Sequence, residues 1–201
     1  MKISKEKRQE QILKVAGEVF ACNGYRRTDV QEIADKLKIG KGTIYRYFPT
    51  KENLFLSGVA AKMHQLSGSV INALESVTDP VKGIAAIIDI IFEFCRKNKE
   101  FIEMLLTERV EFKDRMDASF LALEKMRVKR IRETVIEGQK RGVFREISPD
   151  AISIFLVTFL SGIFITTVRT TIKELQKRKK EIIDIFMRGI LTQQPVNERN
   201  K

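Results

Sequence analysis

Histidine and cysteine are scarce in this chain, and their scarcity disfavours several kinds of chemistry. The 201 residues include one histidine and two cysteines. His64 has no partner at the spacing of metal ligands, so we expect no metal site. Cys22 and Cys95 lie far apart in apolar helical patterns, which predicts small core residues and no disulfide framework. Neither thiol has an evident activating partner, so a catalytic site in the C-terminal part of the chain lacks support.

A signal peptide and β-strand patterns are also missing. Residues 1–8 are basic and lack the apolar run of a signal peptide, so we expect a cytoplasmic protein. No stretch shows the alternation of apolar and polar residues that strands require, and no repeat or low-complexity tract occurs. What remains is helical spacing, which predicts an all-α fold of about nine helices.

The composition favours a soluble protein with a polyanionic partner. Hydrophobic residues make up 43% of the chain, as in globular proteins, and 37 basic against 26 acidic residues give a net charge of +11. Nucleic acid is the commonest partner of such a basic protein, and an anionic membrane surface is the second. Charge alone leaves both partners open.

Two short helical patterns joined by a tight basic turn lie near the N-terminus. Thr28 and Gln31 have the spacing of a capping box, which predicts that Thr28 starts the first of these helices. A short turn at 38–41 follows, and Gly40 is placed to cap a second helix over 42–48. A helix, a short turn and a helix of this size are typical of the helix-turn-helix motif.

The rest of the chain has longer helical patterns. The helix before the motif carries apolar residues from Ile12 to Phe20, and Gly24 is expected to end it as a left-handed cap. We expect the helix that begins near Phe101 to be short, over 101–106, and the helix that begins near Lys113 to end at Gly142. The other later helices are expected to begin near Thr50, near Asp79-Pro80, near Ser148-Pro149 and after a basic connector at 177–180.

The segment 151–168 approaches the length of a membrane span. Hydroxyl residues and a glycine dilute its apolar character, and no other segment matches it. A helix covered on one side by its own core and on the other by a second subunit would have the same composition. We favour that interpretation and expect no membrane span.

Three groups of residues lie in and around the basic turn: Thr28 with Ile33-Ala34, then Lys41-Gly42-Thr43-Ile44-Tyr45-Arg46-Tyr47-Phe48, then Lys51-Glu52-Asn53-Leu54. Together they resemble the N-terminal domain of the TetR family of bacterial transcriptional repressors. The resemblance implies a helix-turn-helix DNA-binding domain, here 1–50, followed by an all-helical effector-binding and dimerisation domain, here 51–201. The chain departs from the family pattern at Lys38 and Gly40, where glycine and serine are common.

The chemistry of the second short helix agrees with this resemblance. A helix of this kind enters the major groove, and the fork of Arg46 on its exposed face matches the O6 and N7 atoms of guanine. Lys41 and Thr43 lie one turn earlier, near the helix start, where base contacts concentrate. By resemblance, Tyr45 and Tyr47 donate to phosphates, although packing alone is the alternative.

Other residues near the motif receive similar predictions. Lys51 lies in the first turn of a helix, where a cation opposes the dipole unless a phosphate binds beside it; an ordinary solvated lysine is the alternative. Thr28 is expected to cap its helix and contact a phosphate, or to cap only. Ile44 and Phe48 are expected in the core. The basic residues at 2–8 either reach along DNA or are solvated.

For the larger domain, the resemblance implies pairing through the last two long helices, here about 150–172 and 179–193. The two helix-turn-helix domains, here called the heads of the dimer, would then lie one DNA turn apart on a pseudo-palindromic operator. The family's small-molecule site lies between helices, and apolar, flexible residues there predict a hydrophobic effector, although each single residue is better explained as core. These candidates are Met63, Leu66, Phe92, Leu105, Phe120, Leu123 and Phe159. The basic residues at 125–132 fit a solvated surface better than a phosphate-bearing ligand.

We therefore predict a homodimeric transcriptional repressor that binds double-stranded DNA, needs no cofactor and is released by a small hydrophobic effector. An architectural or activating protein with the same head is the nearest alternative. An enzyme and a membrane-surface binder are the alternatives from other classes.

Overall fold

A computed structural model describes residues 4–112 and 118–192, apart from the side chains at 109–111, 118–124 and 172. Apart from one antiparallel bridge between Phe144 and Leu191, these residues contain no β-structure, and the predicted all-α fold is confirmed. Nine helices make up the described ranges: α1 Lys5–Arg27, α2 Val30–Leu37, α3 Lys41–Tyr47, α4 Lys51–Ser76, α5 Pro80–Lys97, α6 Lys99–Phe112, α7 Ala118–Lys140, α8 Pro149–Arg169 and α9 Ile172–Ile190.

The chain divides into two compact units. The first comprises residues 1–65 and 98–123, and the second comprises 66–97 and 124–201. Helices α4 and α7 therefore contribute residues to both units. The predicted boundary at residue 50 separates a DNA-binding domain from an effector-binding and dimerisation domain. This functional division stays a prediction.

The core of the first unit forms around the apolar face of α1. Residues at spacings of four and three on this helix are at most 1% exposed, because that spacing places them on one side. Rings from α1, α4 and α6 meet at one end of this core, where the centroids of Phe55 and Phe112 lie 4.9 Å apart and those of Tyr25 and Phe112 also 4.9 Å. The end of α6 thus belongs to the core of the unit that carries α2 and α3.

The second unit is built around α5, which is apolar nearly all round. Ile84, Ile87, Ile88, Ile91 and Phe92 are at most 2% exposed. The helix packs against both α8 and α9, as expected for a central element. Asp79 Oδ1 accepts a hydrogen bond from Val81 N at 2.9 Å, so the predicted cap of this helix is confirmed.

The start of α2 differs from the prediction. Gly24 has φ 75° and ψ 166°, so helical geometry is interrupted there, as predicted, and a short last turn of α1 follows this kink and ends at Arg27. The hydroxyl of Thr28 donates to the Gly24 carbonyl at 2.7 Å, and Thr28 is 3% exposed. Asp29 is the N-cap of α2 and accepts from Gln31 N at 2.8 Å. The predicted capping role of Thr28 is wrong by one residue, because its hydroxyl is used to close the end of α1.

Two predicted boundaries in the larger part of the chain are also wrong. Helix α6 extends from Lys99 to Phe112, well beyond the predicted 101–106. The basic residues at 177–180 lie inside α9, whose N-cap Thr171 accepts from Glu174 N at 3.2 Å. Opposite charges one turn apart explain the second error, because Arg178 pairs with Glu174 at 3.2 Å and extends the helix through the basic run.

The two cysteines lie in different surroundings. Cys95 is 1% exposed, and burial raises the pKa of its thiol to about 11. Cys22 is exposed, so its predicted core position is wrong. It follows the buried Phe20 by two residues, and two residues of α-helix turn the side chain about 200° away from the core.

A close approach fixes the segment after α7. Gly142 has φ 70° and ends the helix, as predicted. A Cβ atom on Gly138 would lie 2.1 Å from Cδ2 of Phe144, a distance that no side chain tolerates. Arg145 N donates to Ile190 O at 2.9 Å, and Thr192 N donates to Val143 O at 3.1 Å. Glycine at 138 therefore lets this segment lie on α7 and hold the end of α9.

Candidate nucleic-acid interface

Helices α2 and α3 have 8 and 7 residues and are joined by a closed turn. Lys38 is the C-cap of α2 in the left-handed conformation, with φ 53° and ψ 46°. Its backbone N–H points at the last carbonyls of α2, and Ile39 N donates to Ala34 O at 3.1 Å. Gly40 is the N-cap of α3, as predicted, and its carbonyl accepts from Thr43 N at 2.8 Å.

The conformation of Lys38 explains why glycine is common at this position in the family pattern. It is the non-glycine residue with positive φ among those the structure describes. A residue with a Cβ atom adopts this conformation at a cost of roughly 1–2 kcal/mol, which glycine avoids. The lysine therefore places a strained, exposed cation in the turn.

One side of α3 is buried and the other is accessible. Ile44 is 0% and Phe48 2% exposed, so their predicted core positions are confirmed. Tyr45 is 37% exposed and Arg46 is also exposed, with its Cζ 5.9 Å from the ring centroid of Tyr47. Lys41, Thr43 and Tyr47 are half-buried. The accessible side of α3 thus carries a cation, a phenol and an exposed backbone at Gly42.

An ion pair joins the beginnings of α2 and α3. Lys41 Nζ donates to Asp29 Oδ1 at 2.9 Å, the same oxygen that accepts from Gln31 N. The Gln31 N–H, and after it the ammonium of Lys41, lower the pKa of the Asp29 carboxyl, and the carboxylate raises the pKa of Lys41. Sequence reasoning missed Asp29, because no helical spacing relates residues 29 and 41. Only the folded turn brings them together.

Lys51 is held by the end of α1. Its Nζ donates to the carbonyl of Arg26 at 3.2 Å and lies 4.8 Å from the ring centroid of Tyr25. The negative end of α1 therefore offsets the unfavourable position of this cation in the first turn of α4. Glu108 of α6 fixes the same corner by accepting from Tyr25 N at 3.1 Å.

Thr28 lies beneath this corner. With 3% of its surface exposed and its hydroxyl donated to Gly24, it joins the end of α1 to the start of α2. Its contact with a phosphate stays a prediction, as do the DNA contacts of Lys41, Thr43, Tyr45, Arg46, Tyr47 and Lys51.

Family models identify both parts of the chain. Residues 12–57 match the model for bacterial regulatory proteins of the TetR family, and residues 80–181 match the model for the tetracycline repressor-like C-terminal domain. The chain belongs to the TetR family. It is therefore a transcriptional regulator with a helix-turn-helix domain rather than an enzyme, and this family binds DNA and small-molecule ligands.

Individual relatives of this TetR-family protein differ in how much of the chain they match. The uncharacterised HTH-type transcriptional regulator YuxN of Bacillus subtilis (strain 168) is 33% identical over 103 residues, which is 51% of this chain but 35% of YuxN. The chain thus spans about a third of that relative. The nucleoid occlusion factor SlmA of Haemophilus ducreyi is 28% identical over 181 residues, covering 84% of this chain and 85% of SlmA.

A solved structure shows the same fold. The crystal structure of a transcriptional regulator from Saccharomonospora viridis in complex with choline superimposes with a TM-score of 0.76, covering 94% of this chain and 100% of that one at 18% identity. At this identity the likeness concerns the fold alone.

The predicted effector residues are distributed over both units. Met63 is 8% exposed and, with the half-buried Leu105, belongs to the first unit. Leu66 and Phe92 are 2% and 1% exposed and, with the half-buried Phe159, belong to the second. The side chains of Phe120 and Leu123 lie outside the described residues. That these seven line one effector pocket stays a prediction.

An apolar cavity of about 370 Å³ lies in the second unit, along α8 and α9. Three rings line it in a stack, with the Phe186 centroid 5.8 Å from Phe155 and 5.6 Å from Phe159. Phe159 is the residue that it shares with the predicted pocket. Sequence spacing missed the others because they combine two helices and the segment before α8: Ile147, Ala151, Ile152, Phe155, Ile182, Ile185, Phe186, Gly189 and Ile190.

Large apolar side chains remain exposed on the same two helices. Ile154 and Phe155 of α8 are 64% and 60% exposed, and Ile185 of α9 is 73% exposed. By length and composition α8 would also reach across a membrane, and 33% of its most apolar window is buried. A single helix of this kind also occurs in soluble proteins, where its exposed side is covered by another surface.

Two of the basic residues of α7 form ion pairs with acidic side chains. Arg130 donates to Glu133 at 2.7 Å, and Arg132 donates to Asp150 of α8 at 2.7 Å. Exposed pairs of this kind are typical of a solvated surface.

Proposed function

We propose that this chain is a cytoplasmic, ligand-responsive transcriptional repressor. It binds a pseudo-palindromic operator as a homodimer and is released by a small hydrophobic effector. The observation that carries this proposal is the accessible side of α3, where Arg46 and Tyr45 are exposed on a helix-turn-helix of the TetR family.

Arg46, Lys41 and Thr43 read bases in the major groove. Arg46 is exposed, and the fork of its guanidinium fits the O6 and N7 acceptors of guanine. Lys41 and Thr43 belong to the first turn of α3, which points toward the base edges when a recognition helix lies in the groove. Discrimination between DNA sequences therefore depends on three side chains within two helical turns.

Tyr45, Tyr47, Lys51 and Thr28 fix the register on the phosphates. The phenol of Tyr45 is accessible, and the ammonium of Lys51 lies at the junction of α1 and α4, close to the helix-turn-helix. Contacts of this kind position a protein on DNA without reading its sequence. Thr28 contributes by fixing the backbone between α1 and α2, because its hydroxyl already donates to the Gly24 carbonyl.

Two copies of the chain pair through residues of about 150–172 and 179–193. Ile154, Phe155 and Ile185 expose more than half of their surface there, although large apolar side chains are normally covered. A second copy is the partner that fits, because an isologous interface pairs one apolar patch with itself. The cavity beside Phe155 and Ile185 then receives side chains of the second copy.

A hydrophobic effector releases the operator by favouring a dimer whose heads do not fit successive major grooves. The seven predicted pocket residues are all apolar, and Met63 adds a flexible side chain. To invert a balance of 1:99 between the two states, the effector must prefer one of them by about 5.5 kcal/mol. An effector that binds without changing operator affinity would contradict this mechanism.

A second candidate function is an architectural role on chromosomal DNA. Its support is the match to the nucleoid occlusion factor SlmA over 84% of this chain. The same head would then bind dispersed sites without repressing a gene. A reporter gene under a promoter that contains the bound sequence separates the two roles, because only the repressor lowers its expression.

The proposal is tested by selecting duplexes from a random-sequence pool with the purified chain and footprinting the enriched sequence. We expect two half-sites in inverted orientation, with centres roughly 34–36 Å apart or a multiple of that distance. Retention of all sequences alike would contradict operator binding.

A further inference from the structure

We propose that Asp29 is a specificity-determining residue, which ties Lys41 down and thereby limits binding to DNA of arbitrary sequence. This inference rests on the proposed operator-binding function and deepens it. It concerns a residue outside the predicted interface, and it assigns to a carboxylate a role at a surface that meets a polyanion.

The geometry gives Asp29 more than a capping role. Its Oδ1 accepts from Gln31 N at 2.8 Å, which is sufficient to cap α2. The same oxygen also accepts from Lys41 Nζ at 2.9 Å, across the turn and from the first residue of α3. The carboxylate thus fixes the position of the cation at the start of the proposed recognition helix.

The pair has a defined electrostatic consequence. An unpaired lysine at this place would pair with a backbone phosphate whatever the DNA sequence and would release a counterion. Such a contact strengthens binding to all DNA alike. Held by Asp29, the ammonium of Lys41 is partly neutralised and is released to DNA only where a base acceptor replaces the carboxylate. The side chains of Lys41 and Asp29 are 38% and 67% exposed, so both remain accessible to a duplex.

Neighbouring charges support this arrangement. Lys41 opens α3, where a cation opposes the helix dipole, and Asp29 offsets that position. The pKa of the Asp29 carboxyl is lowered by the Gln31 N–H, then by Lys41, with a further contribution from Lys51. The carboxylate is therefore ionised at neutral pH and available to the ammonium of Lys41.

The test uses four variants of the full chain. Asp29→Asn removes the charge and keeps the cap, because asparagine caps helices as well as aspartate. Asp35→Asn is the matched control, since Asp35 is an exposed acid of the same helix whose side chain accepts from Gln31 Nε2. Lys41→Gln alone and Lys41→Gln combined with Asp29→Asn complete a double-mutant cycle. The probes are the duplex that the wild type enriches from a random pool and a shuffled duplex of equal length.

For Asp29→Asn we expect about tenfold tighter binding to the shuffled duplex at low salt, with a salt slope steeper by about one unit. Binding to the enriched duplex changes less, so the specificity ratio falls about tenfold. Asp35→Asn should change the ratio by less than about twofold, because its charge is screened and has no partner on α3. In the Lys41→Gln background the effect of Asp29→Asn should disappear.

Two results would overturn the inference: equal effects of Asp29→Asn and Asp35→Asn, or an effect of Asp29→Asn that persists without Lys41. Thermal unfolding of each variant shows that the fold is intact. If the wild type enriches no sequence, the proposed function itself is wrong, and this inference is overturned with it.

Discussion

The helix pairs α2–α3 and α8–α9 both bury one apolar side within their own unit, but they expose opposite chemistry. On α3 the exposed residues include Arg46 and Tyr45, whereas on α8 and α9 they include Phe155 and Ile185. Exposed polar and basic groups favour binding to a polyanion such as DNA. Exposed large apolar groups favour binding to another protein surface, where water is excluded.

The two pairs also differ in how they are stabilised. Helices of 8 and 7 residues are too short to be stable alone and depend on caps and on buried residues such as Ile33 and Ile44. Helices α8 and α9 have 21 and 19 residues, and their stability comes from long apolar faces. Changes to charge should therefore alter DNA binding by the first pair, and changes to apolar surface should alter assembly through the second.

The largest effect is expected from Ile185→Glu. The substitution replaces an apolar side chain, 73% exposed in the single chain, by a charged one at the proposed dimer interface. Because both subunits carry it, the interface receives two charges. Loss of a central apolar contact costs about 2 kcal/mol or more per site, so we expect monomers in sedimentation velocity and a loss of operator affinity.

Met126→Glu is the control for this variant, because Met126 is 54% exposed on α7, outside the proposed interface. It should leave both properties unchanged. A dimer that survives Ile185→Glu would assign the exposed apolar surface of α8 and α9 to another partner.

Gly138→Ala tests the packing that holds the end of α9. The new Cβ would lie 2.1 Å from the Phe144 ring, so that ring must move from its buried position. We expect a loss of about 1–3 kcal/mol in unfolding free energy, measured by urea denaturation. Gly68→Ala on α4 is the control, since a Cβ there meets nothing within 4 Å. Equal stability of the two variants would show that Phe144 has room to shift.

Arg46→Ala tests the charged side of the comparison. We expect a loss of about 1–3 kcal/mol of discrimination at one base position in each half-site, measured by competition among single-base variants of the enriched duplex. Uniform weakening on every sequence would instead make Arg46 a phosphate contact.

Lys51→Ala should act without regard to sequence. Loss of one phosphate contact lowers the salt slope by roughly one unit per subunit and weakens all duplexes alike, as measured by titration at several salt concentrations. An unchanged slope would leave Lys51 with only the contacts that it makes to Arg26 and Tyr25.

The smallest effect is expected from Lys38→Gly. Removing the Cβ from a residue at φ 53° should stabilise the first unit by up to about 1 kcal/mol in thermal unfolding. Lys36→Gly, within α2, loses the same charge and should destabilise by about 1 kcal/mol. A destabilised Lys38→Gly variant would mean that the lysine side chain stabilises the turn.

Local signals predicted the head better than the larger unit. The spacing that places Ile44 and Phe48 in the core lies within a few residues of sequence, as does the cap at Gly40. The start of α2 was predicted one residue early, because Thr28 and Asp29 are both good caps and only the kink at Gly24 decides between them. The Asp29–Lys41 pair depends on the folded turn and has no signal in sequence spacing.

In the larger unit, composition predicted that α8 has two apolar sides, and the exposure of Ile154 and Phe155 agrees with that reading. The cavity along α8 and α9 was not predicted, because its walls come from separate segments whose contact is set by tertiary packing. The sequence predicts a break at the basic run 177–180, whereas α9 continues through it, because opposite charges one turn apart, such as Glu174 and Arg178, stabilise a helix.

The most direct test of the account is the stoichiometry of the complex between the full chain and the enriched duplex, measured by native mass spectrometry. If two heads must read two half-sites together, the wild type should bind each duplex as an even number of chains, and Ile185→Glu should lose this complex. A single chain that binds one duplex with full specificity would contradict the account.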